Sequence, residues 1–148
     1  MSDLGEAAEL GRRGERAAAR ERFRALWERV GPDGDALHRC AIAHSMADVQ
    51  DDIHDELRWD LEALAVAEQI TDEQATAAGA GLTVAGFYPS LHLNLASCYR
   101  RLGDPDRARE HLLLGREAAG ALPEDAYGDM VRSEIGRLER ALLPAQQR

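Results

Sequence analysis

Short breaks rich in glycine, proline and aspartate divide this chain into segments whose apolar residues recur at helical spacing. The breaks lie near residues 11–14, 31–35, 50–52, 79–81, 103–106 and 120–123. Glycine and proline interrupt regular structure, and apolar residues three and four positions apart share one helix face. Alanine, leucine, arginine and glutamate, which favour helix, dominate the sequence, whereas valine, isoleucine and threonine are scarce. The sequence therefore predicts an all-α protein.

The breaks also predict where each helix begins and ends. Two helices should share residues 3–31, with a tight turn at 11–14. Further helices are expected at 36–49, 53–69, 71–79, 89–102, 105–119 and 124–143, with a loop from 79 to 88. The residues expected to begin helices by capping or by a fixed backbone angle are Asp35, Asp51 or Asp52, the Thr71 and Gln74 pair, Pro89 and Asp104.

A pattern of small and large apolar residues is clearest at 95–115. Its members are Leu95, Ala96, Tyr99, Leu102, Gly103, Ala108 and Leu112. Small side chains at 96 and 108 let two antiparallel helices approach closely, and Tyr99 and Leu112 fill the space beside them. This pattern resembles the tetratricopeptide repeat, a family of helix pairs with a period of about 34 residues.

Two weaker copies of the pattern precede it. Their members are Ala7, Leu10, Gly14, Ala19, Phe23 and Leu26, then Ile42, Ala43, Met46, Leu57, Leu61 and Leu64. Ala7 and Ala43 lie 36 positions apart, whereas Ala43 and Ala96 lie 53 apart, so an insertion is assigned to 71–88. The resemblance implies one domain over 1–148 that forms an α-α superhelix. It would contain helix pairs at about 3–31, 35–70 and 89–120, a short inserted helix, and a C-terminal capping helix at 124–143.

The resemblance further implies that the first helix of each pair lines a concave groove for a protein or peptide partner. The positions expected to face that groove are Arg12, His44, Asp48, Ser97, Arg100 and Arg101. The favoured interpretation of these arginines is solvation near a helix end. The alternative is that they bind an acidic peptide or a C-terminal carboxylate. Phe87 and Tyr88 either form a lid over the groove or staple the start of the next helix, and the staple is favoured.

One histidine and several aspartates cluster in the middle repeat: His44, Asp48, Asp51, Asp52 and Asp55. On one continuous helix they would form an acidic stripe able to hold a divalent metal. The expected turn at 50–52 breaks that stripe, so helix capping and solvation are the favoured interpretation. Contact with a polar ligand, and a metal-dependent hydrolase centred on His44 and Asp48, are the alternatives.

The formal net charge is −9, and no lysine is present. Nucleic acids and anionic membranes attract basic surfaces, so neither is an expected partner. There is no signal-peptide pattern, and no apolar run approaches the ~20 residues of a membrane span, so the cytoplasm is the expected location. The remaining unusual side chains are expected to have structural roles in the core or between repeats: Trp27, His38, Cys40, Trp59, His92, Cys98 and His111.

Phosphate-binding loops, G-x-S-x-G and C-x-x-C motifs do not occur in the sequence. The sequence therefore predicts a binding scaffold without a cofactor, not an enzyme. The structural alternative is a homodimer that buries its groove or its last helix against a second copy.

Overall fold

The computed structural model describes residues 2–77 and 84–143, and their regular secondary structure is entirely helical. The helices are α1 (Asp3–Arg12), α2 (Arg16–Val30), α3 (Ala36–Asp48), α4 (Ile53–Ala67), α5 (Asp72–Ala77), α6 (Tyr88–Arg101), α7 (Pro105–Ala118) and α8 (Ala126–Ala141). Two short 3₁₀ segments, Val84–Phe87 and Ala119–Ala121, lie before α6 and after α7. The all-α class is confirmed, and the helices follow the expected segments closely.

Side-chain caps explain why the helices begin where they do. Asp35, Asp52 and Asp104 each accept a hydrogen bond from a backbone N–H in the first turn that follows. Thr71 and Gln74 exchange bonds of 3.1 and 3.0 Å between side chain and backbone, which is the expected capping box. These bonds satisfy N–H groups that have no partner within the helix. Since the bonded residues lie only two or three positions apart, the local sequence is enough to predict where these helices begin.

One expected feature between α5 and α6 is wrong. Residues 84–87 form a 3₁₀ turn and not a loop, and α6 begins at Tyr88, one residue ahead of Pro89. The fixed backbone angle of Pro89 suits this first turn, and the 3₁₀ turn runs directly into it. The expected helix end near residue 79 and the loop at 79–83 lie outside the described residues.

The chain divides into two compact units, Met1–Gln69 and Ile70–Arg148, called unit 1 and unit 2 below. In unit 1, α1 packs against α2 and α3 against α4, while α2 also contacts α3. In unit 2, α6 packs against α7, and both contact α8. The expectation was one domain; the boundary between the units lies where the expected insertion begins.

The core of unit 1 is built from alternating small and large side chains. Its buried members are Ala7, Ala19, Phe23, Ile42, Met46 and Val49. Arg16 and Arg20 of α2 fasten the turn after α3 to this core: they donate to the carbonyl oxygens of Gln50 and Val49 at 2.5 and 2.8 Å. These bonds satisfy carbonyls that have no partner at a helix C-terminus.

Unit 2 has a core of its own, in which α8 supplies three of the eight buried side chains and its C-cap a fourth. The buried members are Ala96, Ala108, Leu112, Leu122, Val131, Ile135, Leu138 and Leu142. Ala96 and Ala108 are both 0% exposed. These are the positions where small residues were expected between α6 and α7.

One apolar side chain on each of two helices is exposed. Leu61, a member of the middle repeat pattern on α4, is 40% exposed, and Met130 on α8 is 56% exposed. The buried residues of α4 are Asp60, Ala63, Val66 and Ala67. The small alanine side chains allow α4 to approach α3 closely.

Candidate functional site

A cleft of about 270 Å³ opens in unit 1 between α1 and α3, the first helices of its two helix pairs. Its lining residues are Ala8, Gly11, Arg12, Phe23, Ser45, Asp48 and Val49. Of the groove residues expected in unit 1, the fold thus brings Arg12 and Asp48 to the same cleft. His44 lies one helical turn before Asp48 on α3.

The floor of the cleft is apolar and depends on a close helix approach. Phe23 and Val49 are 1% and 5% exposed. A Cβ atom on Gly11 would lie 2.9 Å from Cγ1 of Val49, which is closer than carbon atoms pack. Glycine at position 11 therefore lets α1 settle against the end of α3 and sets the width of the cleft.

The rim of the cleft carries charges of both signs. Arg12 is exposed and forms an ion pair with Glu9 at 2.7 Å. Partial burial raises the pKa of the Asp48 carboxyl, while the neighbouring His44 opposes this shift. Ser45, which also lines the cleft, supplies a hydroxyl that both donates and accepts. The cleft therefore offers a cationic donor, a carboxylate acceptor and a hydroxyl above an apolar floor.

The acidic residues after Asp48 have structural partners, as the favoured interpretation expected. Asp52 caps α4, and Asp55 accepts from Arg58 at 2.5 Å. Asp51 pairs with Arg16 at 2.8 Å and Arg20 at 3.1 Å, and the Arg16 hydrogen bond lowers its pKa. The sequence placed capping at Asp51 or Asp52; the structure assigns it to Asp52.

The geometry gives the metal alternative no support. Within residues 2–77 and 84–143, neither His44 nor Asp48 belongs to a group of three possible ligands whose atoms lie within 4.8 Å of one another. Cys40 does not replace them as a reactive group: its Sγ lies 3.5 Å from the Ala63 carbonyl, and burial raises its pKa to about 11. A thiol in that state is a poor nucleophile near neutral pH.

The groove residues expected in the third repeat all lie on α6 of unit 2. Ser97 is half-buried, while Arg100 and Arg101 are exposed. The Arg101 guanidinium folds back along its own helix, where it donates to the Ser97 carbonyl at 3.3 Å and contacts Cys98 Sγ at 3.6 Å. Their role in binding remains a prediction.

Phe87 and Tyr88 are both half-buried at the start of α6. The Tyr88 ring stacks on His92, one turn along the same helix, with centroids 6.2 Å apart and planes 25° apart. This contact holds Tyr88 against α6. The contact therefore favours a local role at the start of α6, as the sequence predicted, and not a role as a lid. It is made to His92, however, so it is not a hydrophobic staple.

His92 and His111, for which structural roles were expected, form a pair between α6 and α7. Nδ1 of His92 lies 3.1 Å from Nδ1 of His111, and the His111 ring stacks on Tyr99 with centroids 5.4 Å apart. One Nδ1–H must donate to the other Nδ1, so at least one ring is neutral at that atom. The sequence could not reveal this pair because it depends on the register of α6 against α7.

The histidine pair predicts acid sensitivity of unit 2. Burial lowers the pKa of His92, and repulsion from His111 lowers it further. Burial also lowers the pKa of His111, although the negative charge of Glu110 acts in the opposite direction. Each of these histidines has a lower pKa in the folded chain than its unfolded value of about 6.5. The free energy of unfolding is therefore greatest above about pH 6.5 and decreases as the pH falls below that value. Chemical denaturation at several pH values is followed by far-UV circular dichroism for the whole chain, and by tryptophan fluorescence for unit 1, which holds both tryptophans. A pH dependence present in the first signal and absent from the second belongs to unit 2.

Replacing His111 with asparagine should flatten this pH dependence between about pH 7 and 5. The matched control is His38→Asn, because His38 is exposed on α3 of unit 1. An unchanged pH dependence in His111→Asn would contradict the assigned role of the pair.

Comparison with known proteins leaves the family of the chain open. No protein-family model matches the sequence, and neither the curated proteins nor the solved structures give a significant match. Within residues 2–77 and 84–143, no helix combines the length and apolarity that a bilayer crossing requires.

Proposed function

We propose that this chain is a peptide-binding scaffold of the tetratricopeptide-repeat type, and that the cleft between α1 and α3 receives a segment of its partner. The observation that carries the proposal is the meeting of Arg12, Ser45 and Asp48 above an apolar floor. In the repeat family that the sequence resembles, the first helices of successive pairs line the binding groove. The cleft lies between two such first helices.

The size and chemistry of the cleft indicate what it would receive. At about 270 Å³ it lies just below the range of about 300–1,000 Å³ for sites that enclose a small molecule. It suits one apolar side chain of a peptide, anchored over Phe23. Arg12 would pair with a carboxylate of the peptide, and Asp48 would accept a peptide N–H.

An acidic or carboxylate-terminated peptide is therefore the proposed partner. Binding and not catalysis is proposed, with no nucleic acid and no cofactor involved. The buried free thiols of Cys40 and Cys98 are compatible with a reducing cytoplasm.

The proposal predicts that affinity depends on the rim of the cleft. Peptides from a randomised library with free carboxyl termini would be selected on the full chain, and affinities would be measured by fluorescence anisotropy. Arg12→Glu should weaken the selected peptides by about tenfold or more, because it reverses the charge that meets the carboxylate. Asp48→Asn should weaken them less, since an amide oxygen still accepts a hydrogen bond.

Arg13→Glu is the matched control. Arg13 neighbours Arg12, is exposed, and pairs with Glu15 instead of lining the cleft. Circular dichroism establishes that each variant is folded. Peptides that bind the wild type, Arg12→Glu and Arg13→Glu equally would place binding elsewhere and refute the proposal.

Self-association is the second candidate function, and exposed leucines favour it. Leu113 and Leu114 on α7 are 55% and 45% exposed, and Leu143 after α8 is 36% exposed. Leu113 and Leu143 line one shallow cleft in unit 2 together with Leu112 and Leu142. Light scattering across a dilution series decides between the candidates, because a strict monomer excludes the homodimer.

A further inference from the structure

Both tryptophans of the chain meet in a second cleft of unit 1. Trp27 of α2 and Trp59 of α4 have ring centroids 5.3 Å apart and planes at 89°. Together with Arg58 and Glu62 they line a cleft of about 270 Å³. Both indoles are half-buried. Two perpendicular aromatic walls beside a carboxylate are the chemistry with which proteins hold organic cations.

One of the two tryptophans that line the cleft already stacks with a guanidinium of its own chain. The Arg39 guanidinium lies 4.9 Å from the Trp27 ring centroid, and the Arg39 side chain is only 10% exposed. Planar guanidinium groups stack well on indoles. A guanidinium therefore covers part of Trp27 within the chain itself, which leaves Trp59 as the ring for an incoming group.

Glu62 retains capacity to accept further hydrogen bonds. Its Oε1 lies 3.8 Å from Arg39 Nη2, which is longer than a hydrogen bond, and its side chain is 45% exposed. The other cation at the cleft, Arg58, is bonded to Asp55 at 2.5 Å. The carboxylate of Glu62 is thus the charged group of the cleft whose oxygens can accept hydrogen bonds from an incoming group.

We propose that this tryptophan cleft binds the arginine side chain of a partner peptide, with the guanidinium against Trp59 and hydrogen-bonded to Glu62. The site is independent of the cleft between α1 and α3, since it is built from the second helices of the two pairs. An arginine is favoured over an ammonium because a planar guanidinium can stack and bond a carboxylate with two parallel N–H groups. The net charge of −9 also favours an incoming cation.

Intrinsic fluorescence tests the proposal directly, because the two tryptophans of the chain are the two that line the cleft. The full chain is titrated at constant ionic strength with N-acetyl-arginine amide, and with N-acetyl-citrulline amide as its neutral isostere. A saturable change is expected with arginine in the millimolar range, and citrulline should bind about tenfold more weakly. N-acetyl-lysine amide should fall between them.

Two variants on α4 and its end locate the response. Glu62→Gln should weaken arginine binding by about five- to tenfold, since it removes the charge that pairs with the guanidinium. Glu68→Gln is the matched control, because Glu68 is exposed at the C-cap of α4. Arg12→Glu should leave the response unchanged, which separates this site from the peptide cleft.

Several results would overturn the inference. They are the absence of a saturable change, equal binding of arginine and citrulline, lysine binding as tightly as arginine, and an unaltered affinity in Glu62→Gln. A response to N-acetyl-glutamate amide in place of arginine would show that Arg58 and Arg39 make the cleft an anion site, and would refute it as well.

Discussion

Phe23→Ala is expected to lower the free energy of unfolding of unit 1 by about 3–5 kcal/mol. Phe23 is 1% exposed and packs among Ala7, Ala19, Ile42 and Met46. Truncation to alanine removes a whole ring from the core and leaves a cavity that the surrounding helices fill only in part. Urea denaturation followed by tryptophan fluorescence reports on this unit, because it contains both tryptophans.

The same substitution connects stability to the proposed peptide cleft, whose floor includes Phe23. Peptide affinity should fall together with stability, under conditions where the variant is still folded. Phe23→Leu is the matched comparison. It retains apolar volume, so it should lower both stability and peptide affinity less than Phe23→Ala does. A loss of stability below about 1 kcal/mol in Phe23→Ala would mean that the helices close over the vacated space, contrary to the prediction of a lasting cavity.

Gly128→Ala is expected to destabilise unit 2 although alanine is the better helix former. Gly128 is buried in the first turn of α8, where its N–H donates to the capping Asp125 at 2.9 Å. A Cβ atom there would lie 1.9 Å from the carbonyl oxygen of Pro123. Backbone has to move to relieve that overlap, so we expect a loss of about 1–3 kcal/mol or more, which exceeds the ~1 kcal/mol that helix propensity returns.

Gly136→Ala on the same helix is the matched control. A Cβ atom at position 136 would meet only the end of the Arg140 side chain at 3.6 Å, an ordinary contact. That substitution should raise stability by about 0.5–1 kcal/mol, through helix propensity alone. Thermal denaturation by far-UV circular dichroism compares the two variants. If both glycine replacements stabilise the protein, the close packing of α8 against residue 123 is wrong.

The cleft between α1 and α3 was foreseen in part. The repeat resemblance selected Arg12, His44 and Asp48 from helical positions, and Arg12 and Asp48 do line one cleft. Ser45 escaped notice because a single serine carries no distinctive pattern in the sequence. The tryptophan cleft escaped as well: Trp27 and Trp59 lie far apart in sequence and were expected only to pack between repeats.

By itself, the sequence determined the all-α class, the helix limits and most of the caps. These depend on interactions within a few residues, such as Asp35 with His38 or Thr71 with Gln74, so local sequence contains the information. Only the tertiary structure decided which helix faces meet, and hence the His92–His111 pair, the tryptophan corner and the forced glycine at position 128. Those features depend on how whole helices are rotated and how far apart they lie. Many small packing contacts together fix that arrangement, and no short sequence pattern encodes it.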